Sequence, residues 1–157
     1  MTKTPPLAGP TTERNAVDSI SIRSPWSSAR GIDSTLVIPA DIPLIQASEL
    51  DEILAQAPDE GTVLAPAADG RGTNAAYRRP ANLFPLRFGN DSFKPHLAAA
   101  QATEKPCIVL QLPSIGIDVD NPEDLQRILA HPGETRTQSL LRQWALAGRF
   151  PVAGTES

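Results

Sequence analysis

The chain predicts an α/β fold, a mostly parallel sheet flanked by helices, on three observations. Thr35-Leu36-Val37-Ile38 and Gly61-Thr62-Val63-Leu64-Ala65 are short apolar runs typical of strands covered on both faces. Between them Leu50, Ile53 and Leu54 form a helical stripe, so strand, helix and strand follow in the order of a right-handed parallel crossover. Proline is abundant at 16 of 157 residues and aromatics scarce at 4%, which favours short elements joined by fixed loops.

Taken in order, residues 1–32 are rich in Pro, Ser, Thr and charge, show no useful periodicity, and read as a flexible or irregular leader that Trp26 docks on the body. The first strand ends at Pro39 and Asp41. Ser48 is placed to cap the next helix, with Asp51 three residues later, and Pro58 stops it. After the second strand comes a loop over 67–74. The apolar stretch 83–88, broken by Pro85 and Arg87, reads as an irregular or edge strand. Ser92 caps a helix running through His96 to about residue 102. Strands follow over 107–112 and 115–119. Asn121-Pro122 is a strong helix start, a capping side chain before proline at the first helical position. That helix turns Leu125, Ile128 and Leu129 inward and ends near His131, and a last helix over 137–147 carries Leu140, Leu141 and Trp144. The expected organisation is a leader (1–32), a main domain (33–131) and a C-terminal helix and tail (132–157).

A length of 157 residues with 40% hydrophobic content supports one core. The net charge of −4 argues against non-specific binding to nucleic acid or anionic membrane. Cys107, the single cysteine, sits in an apolar run and reads as a buried hydrophobe, which fits a reducing compartment. No apolar run is long enough to span a bilayer, so cytoplasmic residence is the expectation. Charge is uneven. Residues 71–96 hold Arg71, Arg78, Arg79, Arg87 and Lys94 against Asp91 alone, a basic island suited to a small anion.

Two acidic strand ends enclose that island. Asp41 lies just past a strand, where ligand crevices open in α/β sheets; it either ligates a metal or satisfies turn amides. Asp118 and Asp120, two apart, would share one face of a strand. Like charges held so close raise each other's pKa unless a cation intervenes, and Mg²⁺ takes one or two such oxygens plus phosphate oxygens and water. The alternative for Asp120 is support of the following helix start. In Asp69-Gly70-Arg71-Gly72-Thr73-Asn74 the glycines let backbone approach an anion, with Arg71, Thr73 and Asn74 as donors. Gly89 and Ser92 lead into a helix N-terminus, an anion site by geometry. His96 is either a phosphate contact or a packing histidine, His131 receives no chemistry, and Arg78 and Arg79 are expected to face solvent. A magnesium-dependent transfer fits these parts, an acceptor phosphate attacking a nucleoside triphosphate with pyrophosphate leaving. No side-chain nucleophile or general base is needed, since the acceptor phosphate is already ionised.

The order Ala40-Asp41-Ile42-Pro43-Leu44, Gly72-Thr73-Asn74-Ala75, Phe88-Gly89-Asn90-Asp91-Ser92-Phe93 with His96, and Asp118-Val119-Asp120-Asn121-Pro122-Glu123-Asp124-Leu125 resembles the phospholactate guanylyltransferase family over about residues 35–129. The acidic motifs are shared with molybdenum-cofactor nucleotidyltransferases, and molybdopterin nucleotidyl transfer is an alternative. The resemblance implies the Rossmann-like nucleotide-diphospho-sugar transferase fold and a role in making the deazaflavin coenzyme F-420. It implies Mg²⁺ on Asp41, Asp118 and Asp120, an acceptor held by Thr73, Gly89 and Ser92, and GTP as donor. The acceptor would be 2-phospho-L-lactate, phosphoenolpyruvate or 3-phospho-D-glycerate. Such enzymes open with a strand and a basic triphosphate loop; here residues 1–32 offer only Lys3, Arg14, Arg23 and Arg30. The expectation is an N-terminally incomplete domain whose unpaired sheet edges favour a homodimer, or a non-catalytic remnant binding phosphorylated acids or a partner chain.

Overall fold

A computed structural model describes residues 32–89 and 91–146. The expected leader, Trp26 and the tail beyond 146 lie outside the described residues. Four strands, β1 (Thr35–Val37), β2 (Gly61–Pro66), β3 (Thr73–Arg79) and β4 (Cys107–Val109), form one sheet in the order β1-β3-β2-β4. Four helices accompany them among the described residues: α1 (Ala47–Gln56), α2 (Phe93–Gln101), α3 (Pro122–Ala130) and α4 (Arg136–Leu146).

The α/β class holds, but the sheet is mixed rather than mostly parallel. β3 pairs antiparallel with both β1 and β2, and only β2 and β4 are parallel neighbours. β1 and β2 do point the same way, as the crossover predicts, yet β3 returns from the 67–72 hairpin and lies between them. The expected strands over 83–88 and 115–119 are turns and coil; their apolar residues Phe84, Leu86 and Ile115 are buried in the core without a strand ladder. β4 is likewise shorter than expected.

Strand alternation builds a core on each face. Val63, Ala65, Ala75 and Tyr77 pack with Ile42, Ile53 of α1, Leu112 and Ile115 on one side. Leu64 and Ala76 pack with Phe84, Leu86 and Ala100 of α2 on the other. A third cluster joins Leu44 to Ile128 of α3 and Leu141 of α4. Leu140 and Trp144, expected on the apolar side of α4, are exposed.

Two helix starts differ from expectation. α1 begins after Gln46, whose side chain makes no cap bond, so Ser48 is not its cap. α4 follows a Thr-x-x-Gln capping box in which Thr135 N–H donates to Gln138 Oε1 (2.8 Å) and Gln138 N–H to Thr135 Oγ1 (3.2 Å). The Gln138 amide also donates to the carbonyls of Ile128 and His131, which fastens α4 to the end of α3. The Asn121-Pro122 start of α3 is as expected, with Asn121 and Asp124 forming a capping box.

Gly61, where β2 leaves α1, has φ +143°, and a Cβ there would fall well inside contact with the Pro106 carbonyl oxygen beside β4. Gly61→Ala is therefore expected to cost about 2 kcal/mol or more, read as a lower urea midpoint with unchanged slope.

Candidate functional site

The carboxylate side of the site begins where β1 ends. Buried Ile42 and Leu44 anchor the chain on either side of Pro43 and leave Asp41 exposed. The Asp41 carbonyl accepts the N–H of Val119 (3.0 Å), which brings Asp41 against the segment carrying Asp118 and Asp120. That segment is no strand. Its shape is set by bonds from elsewhere: the buried Glu49 carboxylate on α1 accepts the N–H groups of Ser114 (2.7 Å) and Ile115 (3.0 Å). Asn74 Nδ2 donates to the Ile115 carbonyl (2.9 Å), and Ala68 N–H to that of Gly116 (2.8 Å). Asp124 then receives the N–H groups of Asp120 and Asn121 (3.0 and 3.1 Å).

The opposite side is the hairpin loop after β2 and the start of α2. Gly70 N–H donates to the Ala67 carbonyl, Ala67 N–H to that of Gly72, and Arg71 N–H to Asp69 Oδ1. Phe93 N–H, at the head of α2, donates to the Arg71 carbonyl (2.9 Å). Gly89 has φ +148° and open space where a side chain would stand. Ser92, expected as a helix cap, makes no cap bond; its Oγ accepts the Thr73 N–H (3.0 Å).

Between these sides lies a cavity of about 510 Å³, within the range of small-ligand sites. Asp41, Asp118 and Asp120 line it together with Arg71, Gly72, Thr73, Asn74, Gly89 and Ser92. Asn74 lines the cavity while giving an Nδ2 N–H to the Ile115 carbonyl. His96 does not line the cavity among the described residues: it is 2% exposed and stands behind Thr73, bonded through Nδ1 to Thr73 Oγ1 (2.8 Å).

The basic island disperses in three dimensions. Arg78, expected in solvent, is 1% exposed; its guanidinium donates to the Phe84 carbonyl and to Thr35 Oγ1 and lies over the Phe84 ring. Its Nε has no partner among the described residues, and burial pulls its pKa below the usual guanidinium range. Arg79 pairs with Asp33 (2.7 Å). Among the described residues Arg71 alone lines the cavity as a cation, and it is paired with Asp91 (2.6 Å), both largely exposed. Asp69 and Asp91 join the three aspartates on the wall, so carboxylates dominate the cavity.

Desolvation, followed by the charges of Asp118 and Asp41, pushes the Asp120 carboxyl above its ordinary range. No three His, Cys, Asp or Glu side chains among the described residues are gathered into a ready ligand shell. The crowding is nonetheless of the kind a divalent cation relieves, and hard carboxylate oxygens suit Mg²⁺. Sequence reasoning missed Glu49, which no motif marks, and β3. The latter had a signal: Asp69-Gly70 is a hairpin dipeptide.

A family model described as "Guanylyl transferase CofC like" matches residues 26–155. The chain is similar to a phosphoenolpyruvate guanylyltransferase of Sphaerobacter thermophilus, 38% identical over 65% of this chain and 49% of that protein. It is 33% identical to a 2-phospho-L-lactate guanylyltransferase of a Methanocaldococcus species, over 76% of this chain and 56% of that protein. A 3-phospho-D-glycerate guanylyltransferase of Colwellia psychrerythraea is 37% identical, over 81% and 59%. The chain thus spans about half the length of the curated relatives it matches. With most of its residues inside the matched region, including both sides of the cavity, the chain belongs to the CofC-like guanylyl transferase family.

Proposed function

We propose that this chain serves a guanylyltransferase that moves GMP from GTP onto the phosphate of a small phosphorylated acid, in biosynthesis of coenzyme F-420 in the cytoplasm. The names of the relatives support phosphoenolpyruvate, 2-phospho-L-lactate or 3-phospho-D-glycerate as the acid. No helix among the described residues is long and apolar enough to cross a membrane. The open edges of β1 and β4 within the described sheet support pairing with a second copy.

The observation that carries the reading is one cavity lined by Asp41, Asp118 and Asp120 on one side and by Thr73, Gly89 and Ser92 on the other. Its excess of carboxylates would repel a triphosphate and an anionic acid arriving alone. Asp41, Asp118 and Asp120 would hold Mg²⁺, which when bound neutralises phosphate charge and polarises the reacting phosphorus. The hydroxyls of Thr73 and Ser92 bind and orient the acid, and Gly89 lets backbone approach it. An oxygen of the acid's phosphate, already ionised near neutral pH, attacks the α-phosphorus of GTP as the bond to pyrophosphate breaks. No side chain has to remove a proton.

Acid binding without transfer is favoured by a different observation, that Arg71, the one cation lining the cavity among the described residues, is already paired with Asp91. Incubating the purified chain with GTP, Mg²⁺ and each acid, and following guanylylated product by mass spectrometry, separates the two. Transfer to one acid is expected. Absence of product with all three, together with calorimetric binding of an acid but not of GTP, selects the second reading.

A further inference from the structure

The polarity of the hydrogen bonds behind Thr73 can be traced atom by atom. The Arg87 backbone N–H donates to His96 Nε2 (2.8 Å), and a backbone amide can only donate. Nε2 therefore keeps its lone pair, and the ring proton of the neutral imidazole sits on Nδ1. Nδ1 is 2.8 Å from Thr73 Oγ1, so His96 donates and the threonine oxygen accepts. The Thr73 hydroxyl proton is left without a protein acceptor among the described residues, on a residue that lines the cavity and is otherwise 2% exposed. Ser92 is prepared in the same way: its Oγ accepts the Thr73 N–H (3.0 Å), and its own proton is unused among those residues.

Everything around His96 preserves this arrangement. The ring is buried, its backbone N–H is bonded to the Ser92 carbonyl, and Phe88 packs edge-on against it with centroids 5.3 Å apart. Burial, then the charge of Arg78, holds its pKa down at about 4, so the imidazole stays neutral under physiological conditions.

We infer that His96 is a positioning residue that fixes the Thr73 hydroxyl as a donor into the cavity, so that the site selects an acid presenting an anionic oxygen there. The inference rests on the proposed acid-binding function. Neither ring nitrogen touches the acid; the effect passes through Thr73.

Two amide replacements separate the halves of the ring. The side-chain amide of His96→Asn reaches the place of Nδ1 and can still donate to Thr73, whereas His96→Gln reaches the place of Nε2 and keeps only an acceptor for Arg87. With the full chain, calorimetry with phosphoenolpyruvate, phospholactate and phosphoglycerate is expected to show Kd within about threefold of wild type for His96→Asn. His96→Gln should weaken binding about tenfold or more, as for one lost hydrogen bond to a charged group. Equal weakening in both variants, or a fall in GTP affinity that parallels the fall in acid affinity, would overturn the assignment and leave His96 a packing residue. If wild type binds none of the acids, the proposed function fails as well. Nitrogen-15 NMR of the wild-type chain reads the tautomer whether or not an acid binds, with His131 as internal comparison: a protonated Nδ1 is expected, and a protonated Nε2 overturns the inference by itself.

Discussion

Asp118→Asn is expected to lower GMP transfer about a thousandfold or more, while the KM for the acid changes less than about threefold. Losing one carboxylate of the trio removes much of the charge that would hold Mg²⁺, and the metal's stabilisation of phosphoryl transfer amounts to several kcal/mol. The fold should not suffer. Asp118 lines the same cavity as Asp41 and Asp120, and its charge helps push the Asp120 carboxyl upward. A carboxyl whose folded pKa is raised penalises folding above that pKa, and the penalty fades as pH falls through it toward the unfolded value. Neutralising Asp118 relieves part of that penalty at neutral pH. Thermal melts therefore provide a second readout: Mg²⁺ should raise the Tm of wild type but not of the variant, and without Mg²⁺ the variant should melt at or slightly above wild type. A variant that melts several degrees lower without metal, with an unchanged response to Mg²⁺, would make the aspartate structural.

Glu49→Ala should be the most damaging single change away from the cavity wall, at about 3 kcal/mol. The carboxylate accepts two backbone N–H groups, from Ser114 and Ile115, both buried. Each amide left without a partner costs about 1–3 kcal/mol, so the Tm should fall by roughly 6–12 °C. Glu49→Gln offers one acceptor oxygen and turns an NH₂ group toward the second amide, so it should recover only part of the loss. Since these bonds shape the approach to Asp118, transfer should also fall in both variants under conditions where they remain folded. Urea unfolding of Glu49→Ala within about 0.5 kcal/mol of wild type would show that the segment holds itself.

The legible parts of this fold are those where local chemistry and tertiary structure agree. Asn121-Pro122 starts α3 because the cap and the proline act within four residues of each other. The helical stripe preceding Gly61 predicts α1, and it predicts correctly that β1 and β2 run the same way. β3 was obscured because Thr73-Asn74-Ala75-Ala76-Tyr77-Arg78-Arg79 has few residues of high strand propensity. Its position between β1 and β2, not its composition, makes it a strand. The reverse holds for the apolar runs over 83–88 and 115–119, where side chains buried in the core anchor turns and coil rather than strands.

The sequence by itself determined the α/β class, the family, and the set of aspartates, glycines and hydroxyls at the cavity, because residue type and short-range spacing carry that information. Tertiary structure decided which of those groups line the cavity and what each is bonded to. Arg71 meets Asp91 across 20 residues, Glu49 reaches Ser114 across 65, and His96 turns the Thr73 hydroxyl from 23 residues away. Charge pairing, burial and the direction of a hydrogen bond depend on such distant partners, and periodicity along the chain reports none of them.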